Sequence, residues 1–254
     1  MTHTALRSVL PLCVLLASAA GVYAQPPADQ PPPRLEATAQ AAFLANTGNS
    51  STETLGFGGE IIVRPAPWVY RAKAALAQNS DHDELKARSV TALLRADRVL
   101  TPRLSAFGQY DYLHDIFAGI ENRQTVQAGL AFLAVDRAPH RLRFDGGIGY
   151  QHEGRVNTEN TNSAIAEGGL AYRWQITRTS ELVEEFRASL PFANTDQWKL
   201  DQSVSLTAAI NSIFSLKVAN VVRFVNAPVP GFESTDTTTT VALVMKLSRP
   251  APAP

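Results

Sequence analysis

The side chains in this sequence that could carry out chemistry are a few histidines and a larger set of alternating charges. Beyond the first 24 residues, the histidines are His82, His114, His140 and His152. A hydrolase needs a histidine beside a nucleophile or a carboxylate. His114 next to Asp115, with His152 near another loop, is the one such arrangement that the sequence offers. Because the sequence has no Gly-x-Ser-x-Gly nucleophile signature, we expect no enzyme and no catalytic residue.

Metal ligation has one weak candidate, the segment Asp81-His-Asp83, whose oxygen and imidazole groups could chelate a cation. A solvated loop tip explains the same three residues more simply, and we favour that interpretation. The single cysteine, Cys13, lies in an N-terminal apolar run, so the rest of the chain has no thiol for a disulfide or a metal site. We accordingly predict no metal and no cofactor.

The charged side chains alternate with apolar ones, which is the period-two pattern of β-strands. In the clearest stretch, Arg141, Arg143 and Asp145 alternate with Leu142 and Phe144. In a membrane barrel, a charge on the lipid face would cost ~2–4 kcal/mol near mid-depth. The alternate positions that carry the charged residues should therefore face the lumen. The predicted lumen-facing residues are Glu60, Arg71, Lys73, Arg95, Asp97, Arg103, Asp111, Arg123, Arg141, Arg143, Asp145, Glu167 and Arg173, together with Lys199, Asp201 and Arg223.

The best-defined hairpin of the sequence is centred on Phe117, with Asp115 and Gly119 at its tip. Both tip residues suit a turn, and Gly119 permits a positive φ. If the hairpin is symmetric about Phe117, Asp111 faces Arg123, and we predict that this charge pair fixes the register. Phe117 would then pack at the rim or cover the lumen. An ordinary loop tip with a solvated Arg123 is the alternative.

About twelve such strands fit between residues 34 and 247, and the connections between them alternate in length. Short turns are predicted near residues 66, 101, 137, 177 and 211, and longer loops near residues 81, 117, 157, 195 and 229. Short periplasmic turns and long extracellular loops are typical of outer-membrane barrels. We predict an all-β fold, an antiparallel up-and-down transmembrane barrel. A soluble barrel or sandwich has the same period with its apolar face inward, so periodicity alone does not choose between them.

The domain organisation follows from composition. Residues 1–24 have a basic start, an apolar run and the segment Val22-Tyr-Ala24, which together predict a cleaved signal peptide. Residues 25–33 and 249–254 are proline-rich tails, and residues 34–248 form the barrel. The 23 basic and 23 acidic residues balance, so nothing indicates nucleic-acid binding. We expect the protein in the outer membrane of a Gram-negative bacterium, in contact with lipid, after delivery by periplasmic chaperones and the barrel-assembly machinery.

Several short motifs point to a known family when they are taken together. They are Gly48-Asn49, Tyr110-Asp-Tyr112, Asp115, Phe117-Ala-Gly-Ile120 with Arg123, Gly147-Ile-Gly-Tyr150, and Pro228-Val-Pro-Gly231 followed by Asp236. From Leu35 to Leu247 the chain resembles the YdiY-like family of salt-induced outer-membrane proteins, a domain of unknown function. The resemblance implies an outer-membrane barrel, an association with salt or envelope stress, and no established activity. The last strand departs from the aromatic ending usual in such barrels, since it closes on Met245-Lys-Leu247.

Two functions agree with this sequence. One is a narrow channel for small polar solutes or ions, in which Arg141 and Arg143 would favour anions near the periplasmic end. The other is a closed structural or envelope-stress barrel, because side chains can fill the interior of a small barrel. An outer-membrane hydrolase is the less favoured third class.

Overall fold

The computed structural model describes residues 33–46, 52–81 and 84–249. The predicted signal peptide, almost all of the two tails, the Gly48-Asn49 motif, and His82 and Asp83 of the metal candidate lie outside the described residues. Within the described ranges, no helix is long and apolar enough to cross a lipid bilayer.

Twelve antiparallel strands close into one barrel, in which each strand pairs with its neighbours in sequence and the first pairs with the last. The fold predicted from the alternation is therefore confirmed. Single 3₁₀ turns lie at Ile116–Ala118 and Thr195–Gln197. The strands are β1 (Leu35–Asn46), β2 (Thr52–Val63), β3 (Trp68–Asp81), β4 (Glu84–Val99), β5 (Leu104–Asp115), β6 (Ile120–Arg137), β7 (His140–Arg155), β8 (Thr161–Gln175), β9 (Ser180–Pro191), β10 (Lys199–Ala209), β11 (Phe214–Val225) and β12 (Thr235–Arg249).

The two ends of the barrel differ in the length of their connections. The terminal end carries the start of β1, the end of β12 and turns of two to four residues, such as residues 138–139. The opposite loop end carries longer segments, of which 192–198 and 226–234 are the longest that are described. Between β3 and β4, however, only residues 82–83 intervene, because both strands extend through the predicted loop. At the terminal end, β12 runs to Arg249, one residue beyond the predicted barrel boundary.

The predicted register of the β5–β6 hairpin is wrong. Asp111 lies opposite Thr125, and Arg123 lies opposite Leu113, so that paired residue numbers sum to 236 rather than 234. The 3₁₀ turn and a register shift between Leu113 and Asp115 move the centre of the hairpin. A displacement of two in this sum keeps every side chain on its original face. The predicted faces therefore survive although the predicted Asp111–Arg123 pair does not form.

The outside of the barrel is apolar. Ile148, Val126 and Leu94 are 69%, 61% and 56% exposed, although they lie in the middle of strands. Other exposed apolar side chains of the same outward parity are Phe57, Ile61, Leu130, Phe132, Tyr150, Leu206, Ile210, Leu216, Val241 and Leu243. A soluble barrel would bury these side chains and expose the charges. The apolar side chains therefore face outward and the charged ones inward, as in a membrane barrel and not as in a soluble one.

Two polar residues of the outward parity, Glu184 and Gln202, depart from this apolar surface. They lie on adjacent strands, β9 and β10, and the Gln202 amide donates to Glu184 Oε1 at 3.1 Å. A cross-strand partner reduces the cost of placing such groups on an apolar face. The two residues that interrupt the apolar pattern of these strands are therefore partners of each other.

Candidate functional site in the barrel interior

Charged side chains from strands that are not neighbours meet one another inside the barrel. Arg95 on β4 contacts Asp145 on β7 at 3.1 Å, although β5 and β6 separate their strands. Lys199 on β10 contacts Glu153 on β7 at 2.6 Å. In a closed sheet, such contacts can only cross the interior. The ion pairs therefore occupy the lumen along β4 to β10.

One group of these ion pairs, which we name the balanced cluster, contains two arginines and two aspartates: Arg95, Asp97, Arg143 and Asp145. Arg95 donates to Asp97 through Nε and Nη2 at 2.9 Å, while Arg143 reaches Asp97 at 2.7 Å and Asp145 at 2.9 Å. The Arg95 guanidinium also lies 3.9 Å from the centre of the Phe107 ring. Each cation thus contacts both carboxylates, and the cluster carries no net charge.

A second group, which we name the acidic cluster, surrounds a single arginine on β9. Arg187 contacts Asp111 at 3.3 Å and Glu167 at 3.2 Å, and Asp201 lies opposite it in register. Glu167 also accepts a hydrogen bond from the Gln127 amide at 2.8 Å. Asp201 also lies opposite Arg223 on β11, so three carboxylates face Arg187 and, at the edge of the group, Arg223. Asp111 therefore bonds across the lumen and not to its predicted hairpin partner.

The third group, which we name the loop-end cluster, reverses this balance. The Glu153 carboxylate accepts from Arg123 Nε at 2.6 Å, from Lys199 Nζ at 2.6 Å and from Arg155 Nε at 2.7 Å. The exposed fractions of the side chains are only 3% for Glu153, 7% for Lys199, 11% for Arg155 and 17% for Arg123. Arg155 also donates to Gln197 in the β9–β10 loop at 3.1 Å. Three buried cations thus share one carboxylate.

Sequence reasoning missed three residues of these clusters, namely Glu153, Arg155 and Arg187. The alternation predicts a strand that ends before a loop near residue 157, but β7 continues through Arg155. Arg187 lies in β9, where Glu184 obscures the alternation. If the alternation of β7 is continued two residues beyond the inward-facing Gln151, it predicts that Glu153 also faces inward.

The opposite wall, formed by β11, β12 and β1 to β3, has many small inward side chains, although Gln40, Lys217, Val221 and Val244 share its inward face. The small ones include Thr38, Ala42, Gly56, Gly58, Ala75, Ala77, Ala219 and Thr240, as the register of these strands shows. Nearer the terminal end, Arg71 contacts Glu60 at 3.4 Å and both side chains are about one-third exposed. Lys73, on the same face of β3, is exposed. Water therefore reaches part of this wall, at Arg71, Lys73 and Ala77, although Ile62 and Ala242 on the same inward face are buried. The inward side chains of β4 to β10 are more uniformly buried.

Three more predicted lumen residues, Arg103, Arg141 and Arg173, lie near the terminal end. Arg141 contacts Asp136 at 3.5 Å, with both side chains more than half exposed, and Arg173 contacts Glu181 at 2.9 Å. Arg103 lies exposed in the turn before β5. The structure does not bring Arg141 into the balanced cluster with its neighbour Arg143. Because both arginines contact carboxylates, they present no pair of uncompensated positive charges.

The loop between β11 and β12, residues 226–234, reaches across the loop end. Val229 in this loop is buried, and it lies against Gly119 in the β5–β6 turn together with Phe232. A Cβ placed on Gly119 would lie 2.9 Å from the Phe232 ring and 3.1 Å from Val229 Cβ. In a twelve-strand barrel these two loops start on opposite sides, so their contact covers part of the mouth.

The predicted loop motif forms one side of this contact. Gly119 has a φ of 77°, in the left-handed region that favours glycine. Asp115 accepts a hydrogen bond from the Ala118 amide at 3.1 Å, and its second oxygen lies 3.6 Å from Arg223 Nη1 on β11. The side chain of Phe117 lies outside the described residues. Asp115 therefore orders the turn and also links it to the opposite wall.

Two of the described histidines, His114 on β5 and His152 on β7, lie on the outward face near the loop end with β6 between them. His114 bonds to the backbone carbonyl of Glu121, and His152 bonds to Asn162 at 2.7 Å. His140 lies at the terminal end, 2.8 Å from the Tyr172 hydroxyl. Among the described residues, no group of three metal-ligating side chains converges.

Comparison with known proteins gives a family and several structural similarities. The chain is 26% identical over 209 residues to the uncharacterized protein YdiY of Escherichia coli (strain K12), covering 82% of this chain and 81% of YdiY. The NanC porin is 7% identical, with a TM-score of 0.47, and the match covers 85% of this chain and all of NanC. The translocator domain of the autotransporter NalP from Neisseria meningitidis is 9% identical, with a TM-score of 0.48, and the match covers 83% and 87% of the two chains. Structural similarity at this level says nothing about function.

The family comparison covers nearly the whole barrel. The family described as "Protein of unknown function, DUF481" matches residues 39–247, which run from the first strand into the last. Both this match and YdiY agree with the resemblance found in the sequence motifs. The chain therefore belongs to the DUF481 family.

Proposed function

We propose that this protein is an integral outer-membrane barrel whose interior provides a narrow passage for small polar solutes or ions. The observation that carries the proposal is the contrast between the two interior walls. The wall of β4 to β10 is filled with ion pairs, most of them largely buried, whereas the wall of β11 to β3 combines many small residues with exposed charges such as Lys73.

The membrane location is supported by the apolar exterior. Side chains such as Ile148 and Val126 are more than half exposed at mid-strand. In water, so large an apolar surface would promote association, whereas lipid solvates it favourably. A closed barrel also leaves no sheet edge unpaired within the hydrocarbon. Export to the outer membrane, which the N-terminal sequence predicts, belongs to the same proposal.

A denaturing gel gives the first test of this location. A closed barrel resists detergent at room temperature, so boiled and unboiled samples should migrate differently. Cysteines introduced at Asn157 and Glu233, at the loop end, should react with an impermeant reagent on whole cells, and one at Ala138 should not. Identical mobility and recovery from the soluble periplasm would contradict the membrane proposal.

The course of the passage follows from the sizes of the inward side chains. Ala75 on β3 faces inward between Gly58 and Thr91, and Ala74 is exposed on the outer face. A large side chain at position 75 would narrow the passage, whereas the same side chain at position 74 would meet lipid. The two positions provide a matched pair for testing the passage.

Single-channel conductance of the purified protein in a planar bilayer tests the passage itself. We expect small, discrete conductance steps that Ala75→Phe reduces and Ala74→Phe leaves unchanged. Equal conductance of the two variants would place the ion path elsewhere. Absence of any conductance from inserted, heat-modifiable protein would favour the second candidate.

That second candidate is a closed barrel that stiffens the membrane or presents its loops. It is supported by the contact of Val229 and Phe232 with Gly119 across the mouth, and by the buried ion pairs below it. The association with salt or envelope stress, implied by the resemblance to the YdiY-like family, agrees with either candidate.

A further inference from the structure

The loop-end cluster has more positive charge than its own carboxylate neutralises. Arg123, Arg155 and Lys199 all bond to Glu153, which gives three positive charges against one negative charge and a net charge of +2. The described contacts of the acidic cluster join its carboxylates to Arg187, Gln109 and Gln127, and not to these three cations. Among the residues that the structure describes, the positive excess therefore has no counter-charge within contact distance.

An uncompensated charge is expensive where water is scarce. All three cationic side chains are less than one-fifth exposed, and that of Lys199 is 7% exposed. Removing like charges from water raises their mutual repulsion as well as their desolvation cost. A bound anion would offset both costs. The balanced cluster, with two carboxylates for two arginines, creates no such demand.

The cluster also retains hydrogen-bond donors for a ligand. Arg123 bonds to Glu153 through Nε alone, so both of its terminal nitrogens have no hydrogen bond to a described residue. Lys199 uses one of its three N–H groups on Glu153. Arg155 bonds to Glu153 through Nε and to Gln197 through Nη2, which leaves Nη1. Forked guanidinium donors match the geometry of oxyanions.

Arg123 is the most exposed of the three cations, and it belongs to β6 just below the β5–β6 turn. The three cations come from β6, β7 and β10, so they converge from separate strands instead of following one exposed edge. Glu153, which is nearly fully buried, holds all three in place. The result is a preorganised group of donors just inside the loop end.

We propose that the loop-end cluster is a binding site for a small oxyanion, with Arg123, Arg155 and Lys199 as its donors and Glu153 as the residue that positions them. The ligand class comprises phosphate, sulfate and solutes that carry a carboxylate. If the proposed passage exists, this site implies that its solutes are anions. Only that implication rests on the proposed function. Binding itself requires the folded barrel but no conduction.

The test uses inorganic phosphate and the full mature chain, purified in a non-ionic detergent. Phosphate replaces chloride at constant ionic strength, so that general screening does not change. We expect saturable binding by titration calorimetry and a parallel rise in the thermal unfolding temperature. Arg123→Gln, which removes one charge and both free terminal nitrogens of the guanidinium, should weaken phosphate binding about tenfold, equivalent to roughly 1.4 kcal/mol.

The matched control is Arg143→Gln in the balanced cluster, which should keep the wild-type affinity for phosphate. Lys199→Gln is the second variant at the site if Arg123→Gln does not fold, and it should weaken binding in the same way. Lack of saturable binding by the wild type, or equal weakening by Arg143→Gln, would overturn the proposal. A conducting barrel without phosphate binding would refute this site alone, whereas a binding barrel without conductance would refute only the passage.

Discussion

The balanced cluster and the loop-end cluster are built from the same kinds of side chain, but their charges add up differently. In the balanced cluster, Arg95 and Arg143 share Asp97 and Asp145, and every charge has a partner of opposite sign. In the loop-end cluster, Glu153 is the only carboxylate among the described residues that contacts the three cations. Charged side chains that only fill the lumen should be paired with opposite charges, because an unpaired buried charge is costly. The positive excess at the loop end therefore makes that cluster the better candidate of the two for binding an anion.

Removal of Glu153 should have the largest effect of any single change. Glu153→Gln leaves three buried cations together, and breaking a buried ion pair in this way costs about 3–5 kcal/mol. The free energy of unfolding, measured by urea denaturation in detergent, should fall accordingly, and phosphate should restore part of the loss. Glu181→Gln, which breaks the more exposed contact with Arg173, is the control. A loss no greater than that of the control would mean that Glu153 does not hold the cluster together.

Asp97→Asn tests the balanced cluster in the same way and should have the next largest effect. Asp97 accepts hydrogen bonds from both Arg95 and Arg143, and its side chain is 8% exposed. Charge-assisted hydrogen bonds contribute roughly 1.5–3 kcal/mol each, but Asp145 remains to neutralise part of the charge, so we expect a net loss of about 2–3 kcal/mol. Phosphate should not restore the stability that Asp97→Asn loses, which distinguishes this variant from Glu153→Gln. Recovery of this variant by phosphate would remove the distinction between the clusters.

Gly119→Ala addresses the loop contact above the loop-end cluster. The left-handed backbone costs a residue with a Cβ about 1–2 kcal/mol, and the new methyl group would meet the Phe232 ring. We expect a lower unfolding temperature and faster proteolysis within residues 226–234. Gly146→Ala is the matched control, because a Cβ there meets nothing within 4 Å. Proteolysis at equal rates in the two variants would mean that Gly119 does not hold the loop.

The alternation of the sequence predicts the strands and their faces well because parity is a local property. Turn residues mark the ends of the strands, and charges mark the inward face. An error in a turn that changes the sum of paired residue numbers by two leaves every side chain on its predicted face. The partners of Asp111 could not be predicted in this way. They depend on the 3₁₀ turn at Ile116–Ala118, on register shifts, and on which strands face each other across the closed lumen. Asp111 on β5 contacts Arg187 on β9 because the sheet closes into a barrel. A local sequence pattern cannot predict contacts across the interior of that barrel.

The smallest expected effect concerns the hairpin pair that the sequence predicts and the structure separates. Asp111 contacts Arg187, whereas Arg123 contacts Glu153 and lies opposite Leu113. In a double-mutant cycle of Asp111→Asn with Arg123→Gln, read by thermal unfolding in detergent, the coupling should stay within about 0.5 kcal/mol, as for residues without a shared contact. The matched cycle of Asp111→Asn with Arg187→Gln should give a larger coupling, about 0.5–1 kcal/mol, since both side chains are partly exposed to water. If the Arg123 cycle gave the larger coupling, Asp111 would belong to the loop-end cluster, and the net charge that distinguishes that cluster would fall from +2 to +1.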